Sequence, residues 1–189
     1  YPDEIEDKIQ KYRKQGYKLP PRKVLRTPEQ IEGIRESAKI NTALLDHIAE
    51  NIREGMPTEE IDRLVYDFTT AHGAIPAPLN FEGFPKSVCT SVNDEVCHGI
   101  PSEQTVLRRG DIVNVDVSTI LDGYFSDASR MFMIGEVAPE AKRLVEVAHE
   151  CLDLGLKAAK PWGCLGDVGA AVQAHAEKNG YSVVREFGG

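Results

Sequence analysis

What the chain lacks narrows its class before any motif is read. No stretch approaches the run of roughly 20 apolar residues that spans a bilayer. The first residues lack the charged, then apolar, then small-residue layout of a secretory leader. A protein without a membrane span, working in the cytoplasm, is therefore expected. The four cysteines (Cys89, Cys97, Cys151, Cys164) show no CxxC spacing, so reduced thiols are expected rather than disulfides or a zinc site. Positive charge is also scarce: 22 Lys and Arg against 30 Asp and Glu leave a net −8.

That deficit is uneven. Residues 1–26 hold eight basic side chains (Lys8, Lys11, Arg13, Lys14, Lys18, Arg22, Lys23, Arg26) against four acidic ones, a balance of +4, which leaves residues 27–189 at −12. A body this acidic is a poor nucleic-acid binder in its own right, and no direct DNA binding is expected. The basic arm is either a solvated extension or a contact for an anionic partner such as RNA. With 41% hydrophobic and 28% charged residues, the composition is that of an ordinary globular protein. Its length suits one good-sized domain or two small ones.

Two segments are expected: 1–26, a basic extension and linker, and 27–189, the main domain. In "KLPPRKVLRTPEQ" the double proline favours extended backbone. "TPEQ" then starts a helix, with Thr27 as N-cap, Pro28 in the first turn and Gln30 completing a capping box. Ile31, Ile34, Ala38, Leu45, Ile48 and Ile52 follow as its apolar stripe. "EGMPT" breaks this helix. A second runs from about Thr58, with Ile61, Leu64, Val65 and Phe68 inward, and stops near Gly73. Residues 74–135 alternate and are punctuated by Gly and Pro, which points to strands and turns. Helical periodicity returns at "PEAKRLVEVAHECLDLGLKAA", where Leu144, Val145, Ala148, Cys151 and Leu152 form one face. After "KPWGCLG" comes a short helix with Val168, Ala171, Val172 and His175, and "KNGYSVV" reads as a turn into a strand. Ile61, Val65 and Gly73 recur as Val168, Val172 and Gly180, each 107 residues later. A duplicated α+β unit is expected, with a ligand site between its halves. The second unit has no counterpart to the strands that follow Gly73, so the chain is expected to be cut short.

The chemistry gathers in "DIVNVDVSTILDGYFSDASRMF", residues 111–132. Asp122-Gly123 is a favoured two-residue type I′ turn. Centring the hairpin there sets Ser118 opposite Asp127 and Asp116 opposite Ser129. Asp116 and Asp127 then become diagonal neighbours on one face, about 7–8 Å apart by Cα, with Val113, Val115 and Val117 on the other. Both strands are expected to be largely buried. Two converging carboxylates can share a proton, hold divalent cations, or stay solvated or paired with Arg130. In "FPKSVCTSVNDEVCHGIP", His98 follows a Val-Cys strand end and can either project into a cleft or be a satisfied core histidine. Phe81, Phe84 and Cys89 offer apolar or sulfur surface, as a pocket wall or as core.

Together "FPKSVCTSVNDEVCHGIP", "GDIVNVDV", "DGYFSDASRMF" and "GYSVVREFGG" resemble type I methionine aminopeptidase over residues 27–189. The resemblance implies an α+β, pita-bread fold: a duplicated unit whose curved antiparallel sheet is covered by helices, incomplete here in its second half. It implies a cytosolic enzyme that removes the initiator methionine from nascent polypeptide N-termini when the second residue is small. Two divalent metal ions (Co, Mn, Fe or Zn) would be held in part by Asp116 and Asp127, which match the family's aspartates. His98 matches the histidine that bonds the substrate and supports the tetrahedral intermediate. Phe81, Phe84 and Cys89 match the methionine pocket, and Phe81 departs from the tyrosine common at its position. In the family, "REFGG" runs into a ligand histidine followed later by two ligand glutamates. Residues 1–189 thus hold two of five ligands, and this chain alone is expected to be inactive. His47, His72, His149 and His175 match no ligand position. The basic arm would face the ribosome. A noncatalytic pita-bread binding module and a prolidase-like aminopeptidase are the alternative readings.

Overall fold

The structure, a computed structural model, describes residues 3–185, with Asp3 and Glu4 as backbone only. Residues 186–189, the end of the "GYSVVREFGG" segment, lie outside the described residues.

The chain opens with helix α1 (Asp3–Lys14), then a short turn of 3₁₀ helix at Arg22–Val24. Helix α2 (Pro28–Asn51) starts at the expected capping box: the Gln30 backbone N–H donates to Thr27 Oγ1, and the Thr27 N–H to Gln30 Oε1. These bonds satisfy two of the donors that any helix start leaves open. Helix α3 (Thr58–Ala71) buries Ile61, Val65 and Thr69, with Leu64 and Phe68 packed beside them.

The sheet is built on β3 (Ile112–Leu121). It pairs antiparallel with β4 (Tyr124–Met133) along one edge, and with β1 (Ile75–Pro76) and β2 (Cys89–Val92) along the other. Asp122 and Gly123 both have positive φ (50° and 82°), the type I′ turn foreseen. All ten β3–β4 pairs follow the expected register, Ser118 facing Asp127 and Asp116 facing Ser129. Val113, Val115, Val117 and Thr119 are fully buried against the helical layer. The core joins them to Leu44, Ile48, Ile61, Val65 and Leu107.

Helices α4 (Pro139–Ala158) and α5 (Leu165–Lys178) pack on each other around Val147, Cys151 and Ala176. The duplication is visible in the backbone. The Gly73 and Ala74 N–H groups bond the carbonyls of Thr70 and Thr69; 107 residues on, Gly180 and Tyr181 bond Glu177 and Ala176. Both glycines have positive φ, 71° and 80°, as a Schellman-type stop requires.

Four expectations change. The buried face of α2 is partly polar: Ser37, Asn41, Leu44, Leu45 and Ile48 lie inside, and Ile31 is exposed. Ser37 Oγ donates to the Thr119 carbonyl (3.1 Å) and shares a hydrogen bond with Ser126 Oγ (2.9 Å). Asn41 Nδ2 donates to the Val117 carbonyl (2.9 Å), while Thr119 Oγ1 donates to Asn41 Oδ1 (2.7 Å). These hydrogen bonds offset the desolvation of the buried polar groups, and hydrophobicity alone misplaces the face. Secondly, β4 is not largely buried. It is an edge strand, so Phe125, Asp127, Ser129 and Met133 on its face away from α2 stay exposed. Thirdly, α4 buries the row Val147, Cys151 and Gly155 and exposes Leu144 and Leu152. A Cβ at Gly155 would meet Val172 at 3.1 Å and Val168 at 3.4 Å, so the glycine is where α5 comes closest and it sets the contact row. Lastly, no strand forms at residues 181–184. A strand needs a ladder partner, and Tyr181 and Val183 pack instead on the α4–α5 core.

Among the described residues no helix is long and apolar enough to cross a membrane. Replacing Asn41 with Ala should remove two buried hydrogen bonds and strand the Thr119 hydroxyl, costing about 2–3 kcal/mol. Urea unfolding of N41A should show this as a lower midpoint at unchanged slope.

Candidate metal centre

The face of β3 opposite the valines carries Asn114, Asp116 and Ser118, and the matching face of β4 carries Phe125, Asp127 and Ser129. Asp116 is half-buried and Asp127 exposed. Ser118 Oγ donates to Asp127 Oδ1 at 2.6 Å and fixes that carboxylate along the strand. Burial raises the pKa of Asp116, and the charge of Asp127 raises it further; His98 acts in the opposite sense. Arg130 does not serve as the counter-ion. It points to the α2 side of the sheet and pairs with Asp46 at 2.9 Å.

Strand β2 brings Cys89 directly opposite Asp116. Burial, then the neighbouring charges of Asp116, Cys97 and Asp127, pushes the Cys89 thiol up to about 11. After β2 the chain folds back: the Thr90 N–H donates to the Gly99 carbonyl (2.9 Å), and the Gly99 N–H to Ser91 Oγ (3.2 Å). A Cβ at Gly99 would sit 2.0 Å from the Thr90 carbonyl oxygen, so only glycine permits this return. His98, next to it, has φ 56°, a left-handed backbone that histidine tolerates better than most residues. Its side chain is exposed on the cleft rather than packed in the core.

The opposite wall is the segment around Phe81 and Phe84. Lys86 anchors it by bonding both carboxylate oxygens of Glu59 (2.6 Å each), and the Ser87 N–H donates to Asp62 Oδ1 (2.6 Å). Burial raises the Asp62 pKa more than these partners lower it. Asn80 and Glu82 also adopt left-handed backbone (φ 66° and 49°); the wall is tightly turned.

Asp116, Asp127, His98, Cys89, Phe81 and Phe84 thus line one cleft of about 760 Å³. Sequence reasoning did not single out Glu82, Ile100, Ser118 or Phe125, which also line it. Ser118 and Phe125 were findable, because each lies two positions from an aspartate on the same strand and so shares its face. Glu82 and Ile100 carried no periodic signal. The remaining histidines lie outside the cleft. His47 and His72 stack on Phe68 (5.1 and 4.2 Å), His149 faces Asp153 (3.7 Å) and His175 bonds Glu150 (2.6 Å).

Two carboxylates share a face, with no lysine or arginine among the described residues lining their cleft, and burial and then the charge of Asp127 raise the cost of ionising Asp116. That electrostatic debt is what a hard divalent cation relieves, and carboxylate oxygens are suitable donors. Asp116 and Asp127 could supply one side of such a site. Among the described residues no group of three His, Cys, Asp or Glu side chains is close enough to hold a metal.

The fold and cleft define a pita-bread protein with an acidic, apolar-walled site at its sheet. Residues 32–189 match the model of metallopeptidase family M24, and the chain belongs to that family. It is 52% identical over 160 residues to methionine aminopeptidase A of Synechocystis sp., covering 85% of this chain and 63% of that one. The crystal structure of methionine aminopeptidase from Rickettsia prowazekii superposes with a TM-score of 0.84 at 44% identity, over 86% of this chain and 65% of that one. An Xaa-Pro dipeptidase from Bacillus anthracis reaches 0.73 at 23% identity, a likeness of fold alone. The chain spans 63% and 60% of the lengths of the Synechocystis sp. and Rickettsia prowazekii methionine aminopeptidases, and less than half of some others.

Thiol chemistry offers a direct check of the site's electrostatics. The thiolate is the reactive form, and a Cys89 pKa near 11 leaves almost none at pH 8. Iodoacetamide at pH 8 should therefore alkylate the exposed Cys97 and Cys164 well before Cys89. Peptide mapping should show Cys89 labelling rise about tenfold per pH unit above pH 8 and level off only near pH 11.

Proposed function

We infer that the chain is the aspartate-bearing portion of a methionine aminopeptidase, which releases the initiator methionine from nascent polypeptides whose second residue is small. The observation that carries the reading is the meeting, in one cleft, of Asp116, Asp127, His98, Cys89, Phe81 and Phe84, in a chain 52% identical to a methionine aminopeptidase.

In this reading Asp116 and Asp127 hold two divalent ions, of cobalt, manganese, iron or zinc, together with ligands outside the described residues. Such ions supply Lewis acidity and a water that ionises near neutral pH. Asp116 and Asp127 would seat those ions against the sheet, at the wall of the cleft. His98, held at the rim by the Gly99 return, donates a hydrogen bond to the oxygen on which charge develops. Phe81, Phe84 and Cys89 form the methionine pocket, an aromatic and sulfur surface on which a flexible thioether packs well. Cys89 stays a neutral thiol there, since its raised pKa keeps charge out of the pocket. The setting is the cytoplasm, and the basic arm is the surface assigned to the ribosome.

A chimera tests this: residues 27–189 replacing the corresponding segment of the Synechocystis relative, assayed for methionine release from Met-Ala-Ser with Mn²⁺ or Co²⁺. The chimera should turn over, and D116N or D127N should lower its rate by about 10³-fold or more. The 189-residue chain alone should be nearly inactive. Cleavage of an Xaa-Pro dipeptide in place of Met-Ala-Ser would put the chain with the prolidases, and a folded but silent chimera would mark it as noncatalytic.

His98 gives a separate outcome. H98A in the chimera should lower kcat by about 10²-fold while leaving KM within a few-fold, as expected for a donor that acts mainly on the transition state. A rise in KM with kcat unchanged would make His98 a ground-state contact only.

A further inference from the structure

A second cleft, of about 950 Å³, lies far from the carboxylates in sequence and is lined by none of their neighbours. One wall is the basic arm and the other is the break between α4 and α5. Ile9 of α1 is buried. Tyr12 stacks on Trp162 with ring centroids 5.7 Å apart and planes 5° from parallel, and Lys8 Nζ sits 5.1 Å from the centre of the Trp162 ring. Tyr17 meets Tyr12 edge-on at 5.5 Å. The arm is thus a docked element, and its docking assembles three aromatic rings at one place.

Among the described residues the charged side chains lining the cleft are Lys18 and Lys160. Exposed Lys11, Arg13 and Lys14 form the last turn of α1 beside it. Of the carboxylates on the two walls, Glu6 pairs with Arg22 (2.6 Å), and Asp167 accepts from the Cys164 N–H (3.0 Å). Tyr17 remains 49% exposed and Trp162 40%, although both rings belong to the cluster. Half-exposed aromatics beside Lys18, Lys160 and the basic last turn of α1 fit a ligand that is planar and anionic at once. Single-stranded polynucleotide has both properties, because every base offers a π-face and every phosphate a charge. An acidic peptide has charge without rings, and a lipid surface has charge without planar groups.

We propose that the cleft between the arm and the α4–α5 break binds a short single-stranded polynucleotide, its bases on Tyr17 and Trp162 and its phosphates on Lys18, Lys160 and the last turn of α1. The proposal rests on the docked arm and is independent of the catalytic reading. It also gives chemical content to the ribosome assignment, since RNA would then be the partner's recognised component.

Trp162 is the chain's single tryptophan, so its fluorescence reports on the site directly. The 189-residue chain would be titrated with fluorescein-labelled rU12 and dT12, following anisotropy and Trp162 emission together. Saturable anisotropy with quenching of Trp162 is expected. The affinity should fall about tenfold between 50 and 200 mM NaCl, as two or three phosphate contacts require. Tyr17→Ala should weaken binding several-fold with the salt slope unchanged, and the K18E/K160E pair should reduce the slope itself. Tighter binding of rU12 would assign RNA as the source and tighter binding of dT12 would assign DNA. Heparin binding as tight as rU12 and indifferent to Tyr17→Ala would overturn the proposal in favour of a simple polyanion patch. Binding to phosphatidylserine vesicles without binding to either oligonucleotide would overturn it in favour of a membrane surface, and rU12 binding that leaves Trp162 unquenched would overturn it by placing the oligonucleotide elsewhere.

Discussion

The pairing of β3 with β4 is the constraint on which the rest of the structure depends. Strand side chains alternate with a period of two, so a slip of one residue would carry the whole of one face to the other. In the observed register Val113, Val115 and Val117 meet the helices, while Asp116 and Asp127 share the opposite face. The hydrophobic drive to bury three valines is thus also the force that holds two carboxylates together on the opposite face. Nothing else in the hairpin would choose that outcome, because two like charges on one face repel.

The polar groups around the hairpin work toward the same end. Asn41 and Ser37 clamp α2 to the carbonyls of β3, and Gly33 lets that helix approach the ring of Tyr124, which a Cβ would meet at 2.5 Å. Arg130 is drawn to Asp46 on the α2 side. Arg130 is thereby kept out of the cleft, whose lining among the described residues holds no lysine or arginine. On the other edge of β3, the return at Gly99 brings His98 to the rim. Each of these contacts stabilises the fold and also shapes the cleft.

The two halves of the chain treat the same motif differently. α2 and α3 close on a sheet and form the main core, whereas α4 and α5 pack chiefly on each other, around a smaller core of their own. The matched helix ends, 107 residues apart down to their capping hydrogen bonds, show that local sequence carries the repeat. The surroundings decide what each copy packs against. Trp162, in the break between α4 and α5, anchors the arm through Tyr12.

Local interactions account for what was readable in the sequence. Thr27 and Gln30 form a capping box because four consecutive residues hold both partners, and Asp122-Gly123 makes its turn because only a few dipeptides accept two positive φ angles. From that turn and strict alternation the register followed, and with it the juxtaposition of Asp116 and Asp127. His98, Phe84 and Cys89 came from a long motif and Phe81 from the family resemblance, none of them from periodicity. Tertiary structure decided the rest. It turned α4 onto the row ending at Gly155, hid Ser37 and Asn41 where hydrophobicity would have put isoleucine, left one face of β4 exposed, and folded the basic arm against Trp162. In every one of these cases the deciding partner lies distant in the chain, and pairing of that kind is settled by shape and by satisfied hydrogen bonds, which neighbouring residues do not encode.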